Sequence, residues 1–442
     1  MHALRSFPAF ALSSLLPLLA LSAAVSVAPE AQAQESQLDA LKSAAHANVN
    51  DPSAALAFGR GLRRAGHATE AIAELRRGLN LWNARSGDVA ASLHMELART
   101  QIARKDFGQA MVQCRVLGAL TGPGSAALGH TCAAEAHLLW RRASEALTET
   151  TLALAGGAKN YDAKVDEGLA REFELKDAEA EASYREAIGW KSDRADAHTV
   201  LGRLLMRTAR GEPALVELRR GAELDPTGPE ALFELAVALP ANAEAVGFLQ
   251  RAVHERPGYG DALRKLADVQ LYLGKLPEAK KAAEAALTVD AQDSGTHVIY
   301  GRVLLAEGKP DDAIRAGQSA LKILANSAKA KLLIADANAK KGEIDLAVES
   351  YQGAYGLDHG DPAALVRASE ACHAAGRNTS AKAFGMKATT EFPQWGPAWA
   401  AYGDALAADH EDAQARVAYE SALKGKGPID AGALRRKMAA LK

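Results

Sequence analysis

Residues 260–293 read GDALRKLADVQLYLGKLPEAKKAAEAALTVDAQD. Apolar and small residues fall at Ala262, Leu263, Leu266 and Ala267, then resume after Gly274-Lys275 at Ala279, Ala282, Ala283, Ala286 and Leu287. This is the spacing of an apolar helical face, given twice and split at a glycine where a helix naturally ends. The stretch predicts two antiparallel helices, each with one face to cover. A lone pair of this size cannot bury both faces, so it predicts neighbours of its own kind.

The neighbours are present. The small residue early in the second helix, Ala279, has counterparts at Ala71, Ala110, Ala146, Ala180, Ala214, Ala245, Ala313, Ala347, Ala381 and Ala415. The gaps between them are 39, 36, 34, 34, 31, 34, 34, 34, 34 and 34 residues. A second series, Gly59, Ala98, Ala134, Gly168, Gly202, Ala236, Ala267, Gly301, Ala335, Ser369 and Gly403, keeps step with it. Each member sits twelve residues before its alanine, except Ala236, which sits nine before Ala245. Small residues there let the two helices of a pair approach closely.

This series resembles the tetratricopeptide repeat, with its W-x2-L-G-x2-Y, A-x3-F and P pattern on a 34-residue period. Trp399, Tyr402, Gly403, Leu406, Ala415, Tyr419 and Ala422 fit the pattern, and the closing proline stands at Pro226, Pro257 and Pro393. The resemblance covers residues 52–429 and implies an all-α, right-handed superhelical solenoid of about eleven antiparallel helix pairs. Many first helices lack the aromatic residue that opens the pattern.

Composition agrees with closely packed helices. Hydrophobic residues make up 48% but aromatics only 5%, so alanine and leucine must supply the core, which argues against a β-rich fold. A net charge of −2 excludes a general nucleic-acid binder, which would carry a basic excess. The first 33 residues differ from the rest. After Arg5 comes the apolar run FPAFALSSLLPLLALSAAVSVA, then Ala31-Gln32-Ala33 as an A-x-A cleavage pattern. This reads as a cleavable signal peptide over 1–33, with an exported mature chain from Gln34 and no transmembrane segment in it. The expected site of action is periplasmic or outer-membrane-associated, with secretion the remaining option.

Residues 34–51 read as a lead-in with a short helix from Ser36 to Asn48, and residues 83–87 as an extended connection. Repeat 229–259 is three residues short and meets Pro240, which makes it a kink or hinge candidate. After Gly425-Lys426-Gly427-Pro428, residues 430–442 read as a capping helix whose Ala433, Leu434, Met438 and Leu441 cover the last repeat.

Catalytic signatures do not occur: the chain has no H-E-x-x-H, G-x-x-x-x-G-K-[ST], G-x-S-x-G or C-x-x-C. The reading is therefore of a protein without catalysis or cofactor. Cys114 lies on the second helix of one repeat and Cys132 on the first helix of the next, so a disulfide is geometrically open to them. The alternative is two small buried residues that never meet. His94, His130 and His137 lie nearby but lack metal-ligand spacing, and no metal is expected.

The resemblance also implies a concave groove lined by first helices, holding a partner peptide or helix. The residue after each small position should point into it: Arg60, Arg99, Glu135, Leu169, Arg203, Val237, Asp268, Arg302, Asp336, Glu370 and Asp404. Its N-terminal part is mainly basic and its C-terminal part mainly acidic, which favours a partner of opposite polarity along its length. The Lys and Asn of the family's carboxylate clamp are absent. The function expected is a protein-binding scaffold of the cell envelope. The alternative is a subunit contacting glycan or peptidoglycan, with Trp395 and Trp399 as its stacking pair.

Overall fold

The computed structural model describes residues 29–81, 87–157 and 159–441. Residues 1–28 of the expected signal segment 1–33, and residues 83–86 of the expected connection 83–87, lie outside them. The described residues form twenty-four α-helices and no named strand. One helix, Pro29–Ala47, precedes eleven consecutive pairs. Repeat 1 is Pro52–Arg64 with Ala68–Asn80, repeat 2 Gly87–Ala103 with Phe107–Gly118, and repeat 3 Ser125–Leu139 with Ala143–Ala153. Repeat 4 is Tyr161–Phe173 with Asp177–Trp190, repeat 5 Ala195–Arg207 with Gly211–Leu224, and repeat 6 Pro229–Ala238 with Ala243–Glu255. Repeats 7 and 8 are Gly260–Tyr272 with Leu276–Val289 and Ser294–Ala306 with Pro310–Ile323. Repeats 9, 10 and 11 are Ala328–Lys341 with Ile344–Leu357, Ala363–Ala374 with Asn378–Glu391, and Gly396–Ala408 with Asp412–Lys424. Helix Ala431–Ala440 closes the chain. The N-terminal helix starts earlier than the sequence reading placed it, at Pro29. A proline at the first helical position presets φ, and Glu30 to Ala33 contain nothing to stop a helix.

The two phase-locked series are the two sides of one packing contact. All eleven second-helix alanines are 0% exposed, because at that crossing only a methyl group fits. In repeats 1, 4, 5 and 11 the glycine of the first helix receives the side chain four places after the alanine. A Cβ on Gly59 would lie 2.6 Å from Leu75, one on Gly168 2.3 Å from Tyr184, and one on Gly403 2.6 Å from Tyr419. Ser369 fits by donating its hydroxyl to the Ala381 carbonyl at 2.8 Å.

First helices of successive repeats touch one another, whereas second helices pack mainly on first helices. The first helices therefore lie on the inside of the curve. The pattern lapses between repeats 6 and 7, whose first helices draw apart. There the first helix is shortened to Pro229–Ala238 and stops before Pro240, and Asn242 caps the second by accepting from the Ala245 amide at 2.9 Å. At the C-terminus Leu434, Met438 and Leu441 cover Leu406, Ala418 and Tyr419, which would otherwise face water.

Candidate partner-binding channel

The curve brings distant repeats face to face. A cavity of about 1090 Å³ lies between the C-terminal ends of first helices in repeats 1–3 and the loops that open repeats 6 and 7. Arg63, Arg64, Arg99, Ile102, Glu135 and Leu139 line one wall; Asp196, Asp225, Thr227, Glu230, Glu255 and Arg256 line the other. A second cavity of about 500 Å³ adjoins it, bounded by Leu38 and Leu41 of the N-terminal helix and sharing Arg64, Thr227 and Glu255.

Of the charged residues singled out in the sequence, Arg60, Arg99 and Glu135 line these two cavities, and most of the series are bonded to neighbouring repeats. Arg60 and Arg63 donate to Glu96 at 3.0 and 2.9 Å, and Arg99 donates to Glu135 at 3.0 Å. Arg203 reaches Glu172 at 3.3 Å, and Arg302 reaches Asp268 at 2.6 Å. Asp336 accepts from Tyr351 at 2.7 Å and Arg367 at 2.6 Å, while Asp404 accepts from Tyr419 at 2.8 Å and Lys437 at 2.7 Å. Among the described residues Glu370 has no side-chain hydrogen bond or ion pair. The ladder thus joins successive repeats while Arg60, Arg99, Arg203 and Arg302 stay 39–46% exposed.

Burial and pairing compete along this wall. Burial alone would raise the Glu96 carboxyl, but Arg63, Arg60 and Arg99 together hold it below the ordinary carboxylate range. Among the described residues Asp166 has no bonded cation: burial, then Glu135 and Asp162, push its carboxyl well above that range against Arg99. Burial likewise raises Glu234, Asp336 and Glu370.

Cys114 and Cys132 are joined in a disulfide, with Cα atoms 5.3 Å apart. The reason lies beside them. Gly118 and Gly129 let the two helices approach so closely that a Cβ on Gly129 would lie 2.5 Å from the Gly118 Cα. Cys372 is free and buried. His94 and His130 fill the position that the repeat pattern gives to tryptophan, bonded to Gln113 at 2.8 Å and Glu149 at 2.7 Å. His198 repeats the device with Glu217 at 2.6 Å. Trp395 packs over Gly427, and Trp399 donates its ring N–H to the Pro393 carbonyl at 2.8 Å.

One set of candidate residues escaped the sequence reading. The residue five places after each small position includes Arg64, Ala103 and Leu139, all on the channel wall, and also Phe173 and Tyr272. Leu139, Phe173 and Tyr272 are 58%, 50% and 77% exposed. Their constant phase was available in the sequence. Their exposure was not, because an apolar residue at the end of a helix reads by default as core.

A family model described as tetratricopeptide repeat matches residues 264–328 and 303–362. The helix pair found there, with its fully buried alanine, recurs from repeat 1 to repeat 11. The chain is a tetratricopeptide-repeat protein. Repeats of this family generally act as non-catalytic scaffolds for protein–protein interaction. Among solved structures, yeast Tom70 is 13% identical with a TM-score of 0.48, over 93% of this chain and 92% of that one. The pilF protein of Pseudomonas aeruginosa is 22% identical with a TM-score of 0.38, over 45% of this chain and 92% of that one. A tetratricopeptide repeat protein from Parabacteroides merdae is 14% identical with a TM-score of 0.41, over 64% and 98%. Likenesses this distant carry nothing about function. No curated protein matches this tetratricopeptide-repeat chain by sequence. Among its described residues, no helix is long and apolar enough to cross a membrane.

Proposed function

We propose that the protein is a non-catalytic adaptor of the cell envelope that holds a partner polypeptide along the channel wall formed by its first helices. The observation that carries this reading is the row of uncovered apolar side chains at one repeat position, Leu139, Phe173 and Tyr272. Apolar groups left in water at a constant phase mark a surface that a partner covers. The charged ladder of Arg60, Arg99, Arg203, Asp268, Arg302, Asp336 and Asp404, with Glu370 unpaired among the described residues, flanks that row and sets the partner's register. Two features support export to the periplasm or outer membrane. One is the apolar stretch with its A-x-A pattern over 1–33; the other is the Cys114–Cys132 disulfide, which persists in oxidising surroundings.

The test is capture of polypeptides from an envelope fraction by the full chain, beside a bait with Leu139, Phe173 and Tyr272 each changed to Ser. All three are exposed, so the far-UV circular dichroism should not change. The expected result is a captured set that the triple variant loses. The same set retained by a folded triple variant would overturn binding at this wall.

A further inference from the structure

Resting on that reading, we infer that the channel takes a mixed-charge polypeptide segment, acidic along one face and basic along the opposite face. The walls that face each other across the 1090 Å³ cavity differ in sign. On the repeat 1–3 side stand Arg63, Arg64 and Arg99; on the repeat 5–7 side stand Asp196, Asp225 and Glu230. Most of these charges are already matched within their own wall. Arg63 is bonded to Glu96, Arg99 to Glu135, Asp196 to Arg194, and Glu230 to Arg256. What remains is one unspent charge on each side. Arg64 is exposed and makes no ion pair among the described residues, and Asp225 is bonded only to the Thr227 hydroxyl at 3.2 Å.

The acidic wall is not the acidic end of the sequence series, since Asp268, Asp336, Glu370 and Asp404 do not line the cavity; it comes from Asp196, Asp225 and Glu230, near the openings of repeats 5 and 6. A ligand charged along its length would meet opposite signs on the two walls at every point. A segment with its signs on opposite faces would meet a complementary wall on each side. In an extended chain successive side chains point to opposite faces, so alternation of acidic and basic residues produces such a segment. The cavity also exceeds the roughly 300–1,000 Å³ usual for small-molecule pockets, which fits a length of polypeptide rather than a zwitterionic metabolite.

The experiment uses the full chain and two labelled peptides of equal Glu and Lys content, one alternating and one in two blocks, read by fluorescence anisotropy. The alternating peptide is expected to bind, with affinity falling as salt rises, and the block peptide to bind more weakly. Arg64→Glu and Asp225→Asn should each weaken the alternating peptide about tenfold by removing a charge-assisted contact. Arg416→Glu, an exposed site in repeat 11 with no ion pair among the described residues, changes net charge as much as Arg64→Glu and should leave binding unchanged. Equal or tighter binding of the block peptide would overturn the crosswise inference and leave the wall as a binding surface with lengthwise polarity. Equal effects of Arg64→Glu and Arg416→Glu would overturn the assignment to this cavity. Binding of neither peptide would overturn the inference, while capture by the apolar row would still stand or fall on the Ser triple variant.

Discussion

Repeats 2–5 and repeats 7–10 build the same helix pair by different means. In repeats 7–10 the alanines recur every 34 residues, and the turn between the helices is a left-handed glycine: Gly274, Gly308, Gly342 and Gly376, with φ between 69° and 81°. Repeats 2–5 place Lys105, Arg141, Leu175 and Ala209 in that turn, with φ of 59–61°. The left-handed region costs a residue with a Cβ about 1–2 kcal/mol. The opening aromatic of the pattern is missing from both sets: repeats 7–10 have Leu263, His297, Lys331 and Leu365 there, and repeats 2–5 have His94, His130, Lys164 and His198. Both sets have ion pairs between repeats, and repeats 2–5 add a disulfide, histidine–carboxylate bonds and the Glu96 cluster. The family model matches part of the locally consistent half, residues 264–362, while the larger cavity lies between repeats 1–3 and 5–7. Local rules are broken where the candidate site is built, as expected when geometry there serves more than stability.

The largest test of this contrast removes the staple. Changing Cys114 and Cys132 both to Ser opens a loop with a sequence separation of 18 and should cost about 3 kcal/mol. A solenoid transmits stability only between neighbours. Amide exchange should therefore quicken over residues 107–153 and stay unchanged over 310–391. Uniform loss of protection would show that the halves are not held independently.

A smaller test exchanges the turn residues. Leu175→Gly should stabilise repeat 4 by about 1 kcal/mol, and Gly308→Ala should destabilise repeat 8 by about the same amount. Denaturant midpoints would check both signs. A Leu175→Gly variant without gain would mean that the 80% exposed leucine side chain makes up the backbone cost in another way.

The smallest effect concerns the acid with no bonded cation among the described residues. Burial, Glu135 and Asp162 raise the Asp166 carboxyl, so the folded chain holds this proton more tightly than the unfolded chain does. Its contribution therefore favours the fold at low pH and is lost as pH rises from the ordinary value through the raised one. Asp166→Asn stays neutral throughout, so its gain in melting temperature over the parent should grow from pH 5 to pH 8. A gain independent of pH would assign the effect to packing.

The sequence by itself determined the repeat, its period and the fold. Those are consequences of local helical geometry, and each is written at every recurrence, as in the buried Ala71 to Ala415 series. It also marked repeat 6 as irregular, because a missing turn and Pro240 are local facts. The tertiary structure alone decided that Cys114 meets Cys132 across the Gly118–Gly129 crossing, and that Arg60 and Arg99 bond to Glu96 and Glu135 in their own wall. It also decided that Arg64 looks across a channel at the loop carrying Asp225. Those relations depend on small rotations summed over several repeats. No single repeat encodes the sum, so a charge read as lying far along the chain can stand on the opposite wall.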